Sequence, residues 1–470
     1  MILLQLYSPQ VMQKNRIDWK LDTFAKTLSP TKRERSFVTL VYKSVQAILW
    51  VNDCIQIWSY PRYTAITSLH DLDILYQIWE RNENTHNPYE ILRQTHILLE
   101  KQYKLLLERD EEYESLRKYA LSISLQSHSA TISFQENGNE IFWVDIVPWY
   151  TYQVNDFGDS TYKVPEIMFT KHSRRKEKYV QFNEEWREMS RIHSDPRGYI
   201  TVASNTDQDS LWAFRKSIKI IKHRKDNLKS INESLKLKSF HLELVITSYF
   251  QENINLSIFD CIFNFFVELP ETLKVPNQIA DRANHDKFVD DYLEKLTAEQ
   301  IEKIIEARDY LLIQLEEITE QSEISEIFQI HFYKRVSSSD SYLFDQWIPT
   351  LTDGDLNFNI YGKALQYKGF RQKLLTTNWE IERDRKIEFW INSLTTRVDK
   401  LKRKVRNDQN SMQPRGEITD DQTKNYPEHT KYTWRHRVEC FAIRDNICVA
   451  KAKQYICLPA LWFTSSNEND

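Results

Sequence analysis

The chain is 470 residues long, 41% apolar and 13% aromatic, with a net charge of −4. That length allows roughly two or three domains around a sizeable core, and so balanced a charge argues against a globally basic nucleic-acid binder while leaving local basic patches open. Five scattered cysteines with no Cys-x-x-Cys pair argue against a disulfide framework or a zinc site and point to reduced thiols in a cytoplasm.

Residues 1–7 are apolar but too short for a signal peptide, and no apolar run is long enough to span a membrane, so no membrane partner is expected. Ser29-Pro30 predicts a capped helix start. Phe37, Val38, Val41, Val45, Ile48 and Leu49 then share one helical face. The segment 59–75 ends in Asp71-Leu72-Asp73-Ile74-Leu75, which reads as a strand. Side chains alternate along a strand, so Asp71 and Asp73 share one face and Leu72 and Ile74 the other. Two adjacent carboxylates repel unless a cation lies between them. Helical spacing marks 88–109, and strands are expected over 119–125, 130–134 and 140–148. Glu136-Asn137-Gly138-Asn139 supplies a hairpin turn between the last two. The final strand carries a third acid, in Val144-Asp145-Ile146-Val147-Pro148. Three acids on adjacent strands are a donor set for two Mg²⁺ ions (or Mn²⁺) about 3.5–4 Å apart, the arrangement used for in-line nucleotidyl displacement.

Downstream, 171–178 is a basic cluster that suits a solvated loop. The stretch 211–224 predicts a helix with a basic face, and 259–269 a buried helix. Thr297-Ala298-Glu299-Gln300 is a capping box that opens an apolar stripe. Near Val336 the character changes: a polar linker over 337–341 is followed by short segments at 356–360, 387–391, 436–443 and 447–450. Asp353-Gly354-Asp355 and Arg444-Asp445-Asn446 suit turns. This part predicts a small β-rich sandwich, with the charged stretch 397–412 as a flexible loop.

Ser59, Tyr60, Arg62, Thr64 and Ala65, followed by Asp71-Leu72-Asp73 and the distant Asp145, resemble the opening motif of the polymerase-β-type nucleotidyltransferase superfamily. The branch most similar is the CD-NTases, the bacterial cyclic-oligonucleotide synthases. Trp58 and Tyr63 stand at two positions where that family has glycine. The resemblance implies an α/β (α+β) nucleotidyltransferase core over 1–200 and a helical nucleotide-binding half over 201–335. It implies catalytic and metal-binding roles for Asp71, Asp73 and Asp145, and contacts to the donor triphosphate from Ser59, Lys222 and Ser239. Glu243 and His241 read as structural residues. The implied partners are ATP, GTP or another nucleoside triphosphate and a downstream effector; a nucleic acid is possible as acceptor or cue but not indicated. Arg415-Gly416-Glu417-Ile418, residues 428–432 and residues 435–440 resemble the AGS-C module, which places a sensor-like domain over 336–470. The implied activity is synthesis of a cyclic di- or oligonucleotide in CBASS-type anti-phage defence. The alternatives are transfer to an RNA or protein acceptor, or a degenerate nucleotide-binding protein.

Overall fold

The computed structural model describes residues 9–49, 54–78, 87–169, 186–274, 278–352, 356–366, 371–375, 379–381, 384–391, 394, 398–407, 415–420, 427–431 and 434–458. The basic cluster at 171–178 and the turn at 353–355 lie outside them. Among the described residues no helix is long and apolar enough to cross a membrane.

Helices α1 (Pro9–Thr27) and α2 (Lys32–Leu49) open the chain. The cap of α2 is Thr31, not Ser29. The Glu34 amide donates to Thr31 Oγ1 at 3.2 Å and the Thr31 amide donates to Glu34 Oε2 at 2.7 Å. Thr-x-x-Glu satisfies two orphan groups reciprocally where Ser-Pro offers one. Ser29 closes α1 instead, its hydroxyl donating to the Ala25 carbonyl at 3.2 Å.

Strands β1 (Cys54–Gln56) and β2 (Asp71–Gln77) follow, then α3 (Pro88–Arg109), β3 (Ala120–Leu125), β4 (Ala130–Glu136), β5 (Asn139–Val154), β6 (Ser160–Phe169) and β7 (Trp186–Ser194). They form one mixed sheet ordered β1-β2-β5-β4-β3, with β6 added to the far end of β5 and β7 to β6. The β2–β5 pair is parallel; the other pairs are antiparallel. Asn137 and Gly138, both at positive φ (52° and 80°), make the tight turn between β4 and β5. One face of the sheet buries Leu72, Ile74, Val144 and Ile146 against Val38, Val41 and Val45 of α2 and Leu99 and Tyr103 of α3. The helix pair thus backs the strands that carry the acids.

The second unit is helical: α4 (Pro196–Asp209), α5 (Ala213–Ile231), α6 (Ser239–Glu252), α7 (Ile258–Lys274), a two-stranded ladder of β8 (Ala280–Asp281) and β9 (Asn284–Phe288), α8 (Ala298–Glu316) and the short α9 (Ile324–Ile327). Its core joins Phe214, Ile218, Leu242, Phe259, Ile262 and Leu311, and α1 belongs to it through Ile17, Leu21 and Ala25. Thr297 and Gln300 form the expected capping box on α8.

Beyond residue 336 come β10 (Ile360–Ala364), β11 (Lys373–Leu375), β12 (Trp379–Glu380), β13 (Lys386–Ile391), β14 (Lys400–Arg406), β15 (Ile418–Asp420), β16 (Glu428–His429), β17 (Trp434–Arg444) and β18 (Ile447–Leu458). They build a four-stranded sheet, β11-β10-β13-β16, and a five-stranded sheet, β12-β18-β17-β14-β15. Ile360, Ile387 and Phe389 of one sheet meet Val438, Cys440, Val449 and Ile456 of the other in a shared core, a sandwich. The mixed α/β part with helices, followed by β-sheets, agrees with the sequence expectation. Three local readings change. Lys400–Arg406 is a strand, not a loop, because its cations meet carboxylates from distant segments: Lys402 reaches Asp420 at 3.0 Å and Arg403 reaches Glu428 at 2.9 Å. Residues 337–341 are a packed junction, not a free linker; Asp340 is 1% exposed and paired with Lys404 and Arg406, each at 2.9 Å. The segment 356–360 becomes a strand only at Ile360, although Leu356 and Phe358 are buried in the same core.

Candidate active site

The parallel ladder sets Asp73 of β2 opposite Asp145 of β5, and Asp71 opposite Trp143. Register partners point to the same face, as do residues two apart, so all three carboxylates share the side of the sheet away from α2. Burial pushes the Asp73 carboxyl well above the ordinary aspartate range. The charges of Asp71 and Asp145 push it further, and Arg62 pulls it back. Asp71 sits at the exposed start of β2. Its carboxyl is raised too, by the surrounding protein mass, against the pull of Lys222, His70 and Lys225. Asp145 Oδ1 accepts hydrogen bonds from Ser129 Oγ at 3.0 Å and from Thr131 Oγ1. Both donors flank or lie on β4, so the strand beside β5 orients this carboxylate.

The loop from Trp58 to Ala65 lies against β2, because the Ile57 amide donates to the Asp73 carbonyl at 3.0 Å. The Ser59 carbonyl closes it, accepting the amides of Thr64 and Ala65 at 3.0 and 3.2 Å. Trp58 and Tyr63 have φ of 64° and 58°, the left-handed region that glycine enters freely. The backbone here keeps a glycine-type path with side chains that resist it, and contacts hold both. The Trp58 ring meets Phe240 edge-on at 5.1 Å and lies 5.8 Å from the Arg62 guanidinium, while Arg215 covers Tyr63 at 4.8 Å.

Behind the loop, Glu243 of α6 gathers the motif residues. Its carboxylate pairs with Arg62 at 3.2 Å and Lys222 at 3.1 Å, and accepts from Thr64 Oγ1 at 3.1 Å. Lys222 also donates to the Thr64 carbonyl at 3.0 Å. Arg62, Lys222 and Glu243 are all buried. Lys222 therefore lies beside the acids, near enough to act on Asp71, but its ammonium is engaged by protein. Ser239 opens α6 and accepts a hydrogen bond from Lys225 Nζ at 2.7 Å. Burial holds the Lys225 ammonium below its ordinary range despite Asp226 beside it. The sequence reading passed over Lys225, although it is three residues from Lys222 and so shares its helical face. Glu243 and His241, both read as structural residues, are buried, and His241 Nδ1 is 3.0 Å from the Tyr292 hydroxyl.

The donor chemistry suits a divalent cation, since repulsion among three carboxylates is what a cation relieves. As they stand, no three His, Cys, Asp or Glu side chains among the described residues form a ready metal-holding group. An anion also suits the place. Arg62 Nε is buried without a hydrogen-bond partner among the described residues, beside a lysine and the N-terminus of α6.

Residues 337–458 match the family model described as "Adenylyl/Guanylyl and SMODS C-terminal sensor domain". The β-sandwich is similar to AGS-C. Solved structures with a similar chain trace include the Escherichia coli MS115-1 CdnC:HORMA-deltaN complex, at 16% identity and a TM-score of 0.43 over 66% of this chain and 93% of that one. CdnC of the same strain with ATP gives 17% and 0.43 over 64% and 93%. The Rhodothermus marinus CdnE c-UMP-AMP synthase with Apcpp and Upnpp gives 12% and 0.37 over 61% and 95%. Comparison with curated proteins returned no match.

Proposed function

We propose that the chain is a nucleotidyltransferase that joins nucleoside triphosphates into a cyclic di- or oligonucleotide second messenger. Its setting would be bacterial CBASS-type defence, with the AGS-C-like domain as the regulatory part and a separate effector reading the product. The observation that carries this reading is the ladder that sets Asp73 against Asp145 with Asp71 on the same face. A fold has no packing reason to crowd like charges, and two-metal nucleotidyl transfer has a chemical one.

In this reading Asp71, Asp73 and Asp145 would hold Mg²⁺ or Mn²⁺. The metal, once bound, would neutralise the triphosphate and lower the pKa of the attacking 2′- or 3′-hydroxyl. Asp145, which accepts from Ser129 and Thr131, would help hold the metal nearer the attacking hydroxyl and assist its deprotonation. Ser59, Lys222 and Ser239 would contact the donor triphosphate, with Arg62 and Lys225 adding positive charge from the loop and from α5. Pyrophosphate leaves at each transfer; a second transfer would close a dinucleotide ring, and further transfers would give a larger one.

The test is incubation of the purified chain with labelled triphosphates and Mg²⁺ or Mn²⁺. Phosphatase-resistant product from the wild type and none from Asp71→Ala/Asp73→Ala supports the reading. A second reading, nucleotide binding without turnover, draws on Trp58 and Tyr63 at the glycine-type positions and on Glu243 occupying Lys222. Calorimetric nucleotide uptake with no product from any triphosphate mixture would favour it.

A further inference from the structure

Among the described residues, the outer face of the five-stranded sheet is strongly basic. The register aligns Arg406 of β14 with Arg437 of β17, and Arg437 with Tyr455 of β18; Lys404 is opposite Glu439, which is opposite Lys453. Paired residues share a face, and Arg435 joins them two positions from Arg437. Val438, Cys440 and Ile456, the alternate residues, fill the sandwich core.

This face has two halves. One is covered: Asp340 holds Lys404 and Arg406, Lys451 donates to the Glu316 carbonyl at 3.0 Å and pairs with Glu317, and Phe441 packs on Leu343 and Ile348. The other half is open. Tyr455 is 38% exposed, with the Arg435 guanidinium 4.0 Å and the Lys453 ammonium 5.3 Å from its ring centre. Arg437 stands alongside, 3.1 Å from Glu439; the other acid that the described register puts on this face, Asp420, lies at the far edge of the sheet, paired with Lys402 at 3.0 Å. Hydrogen bonding to Lys453 and the charges of Lys453, Arg437 and Arg435 hold the Tyr455 hydroxyl below its ordinary range, against a small effect of burial. An exposed ring among cations on an open sheet is what a single-stranded nucleic acid needs. The cations take phosphates, and a flat ring takes a base that a duplex keeps stacked within itself.

We propose that the Arg435, Arg437, Lys453 and Tyr455 face of the AGS-C-like domain binds single-stranded nucleic acid. The site is continuous with the covered half, where Asp340 and Glu317 already do to Lys404, Arg406 and Lys451 what a phosphate would do. A strand lying along β17 and β18 therefore abuts the contacts that join this domain to α8.

The test uses the full chain and fluorescence anisotropy with short oligo(U) and oligo(dT), a duplex of the same length, and phosphatidylserine vesicles. Three phosphate contacts predict a log–log salt slope of about −2 for single strands. Arg435→Gln/Lys453→Gln should flatten that slope to about −0.7 or less, and Tyr455→Ala should weaken single-strand binding about tenfold with the slope kept. All three residues are exposed, and a thermal melt checks that the variants fold. The proposal is overturned by absence of binding, by unchanged binding in the double variant, by duplex binding as tight as single-strand binding, or by vesicle uptake in place of oligonucleotide uptake. Nucleotide turnover is not read in any arm, so the result is independent of the proposed synthase activity.

Discussion

Asp73, half-buried, and Asp340, fully buried, are both carboxylates packed among charged groups, and their surroundings are opposite. Asp340 sits in the junction between the helical unit and the β-sandwich, with a lysine on one oxygen and an arginine on the other. Asp73 faces two more aspartates, and burial and its neighbours together push its carboxyl upward. The first arrangement is self-sufficient, because partner and charge are supplied by the same chain. The second has only Arg62 to offset its neighbours, and in the proposed reading a bound cation completes it. Under that reading the contrast separates a charge that serves the fold from one that serves a ligand.

The largest test of that contrast is Asp73→Asn. We expect nucleotide turnover to fall by about three orders of magnitude, with no loss of stability. The raised carboxyl makes the wild type lose stability as pH rises past the ordinary aspartate range, since the folded state then holds a proton that the unfolded state releases. Denaturant titrations across pH should show that decline flattened in the variant. Asp340→Asn should do the reverse, leaving activity chemistry intact but costing about 3–5 kcal/mol of unfolding free energy, because Lys404 is left buried without its counter-charge.

Glu316, at the end of α8, is an intermediate case. Burial pushes it up to about 7, and Lys451 only partly offsets that. Its sign follows from the raised value: the native state is favoured below about 4.5, loses ground between about 4.5 and 7, and is level above. Glu316→Gln should remove this slope and stabilise the protein at alkaline pH by about 3 kcal/mol at most. The smallest effect is at Tyr63. Tyr63→Gly relieves a left-handed backbone worth about 1–2 kcal/mol and loses an exposed contact with Arg215 worth about 0.5–1 kcal/mol. A rise in melting temperature of a few degrees is expected; a fall would mean that the Arg215 contact dominates.

Much of this was legible in the sequence because it depends on short-range pattern. The alternation in Asp71-Leu72-Asp73-Ile74 fixes which side chains share a face, and Asn137-Gly138 fixes the turn that returns the chain toward them. Sequence does not show which residue Asp145 will oppose; one step of slip would have turned it to the helix side. Lys400–Arg406 looked like a loop because its charges are balanced by Asp340, Asp420 and Glu428, none of them local. Lys222 looked available for phosphate, since the Glu243 that holds it lies on the next helix. The cap at Thr31 was missed because a serine followed by proline is the more familiar signal, and Glu34 carries a second duty, accepting the amides of Ser68 and Leu69 at 2.7 and 3.2 Å just ahead of the first acid.

Trp58 has one further consequence. Its indole meets both Arg62 and Phe240, which also meet each other at 5.3 Å, and among the described residues the Arg62 Nε has no hydrogen-bond partner. An occupant that draws Arg62 toward itself changes the electric field on the indole and therefore its emission. The chain thus carries an intrinsic optical reporter beside Arg62, read as the difference between the wild type and Trp58→Phe during a nucleotide titration.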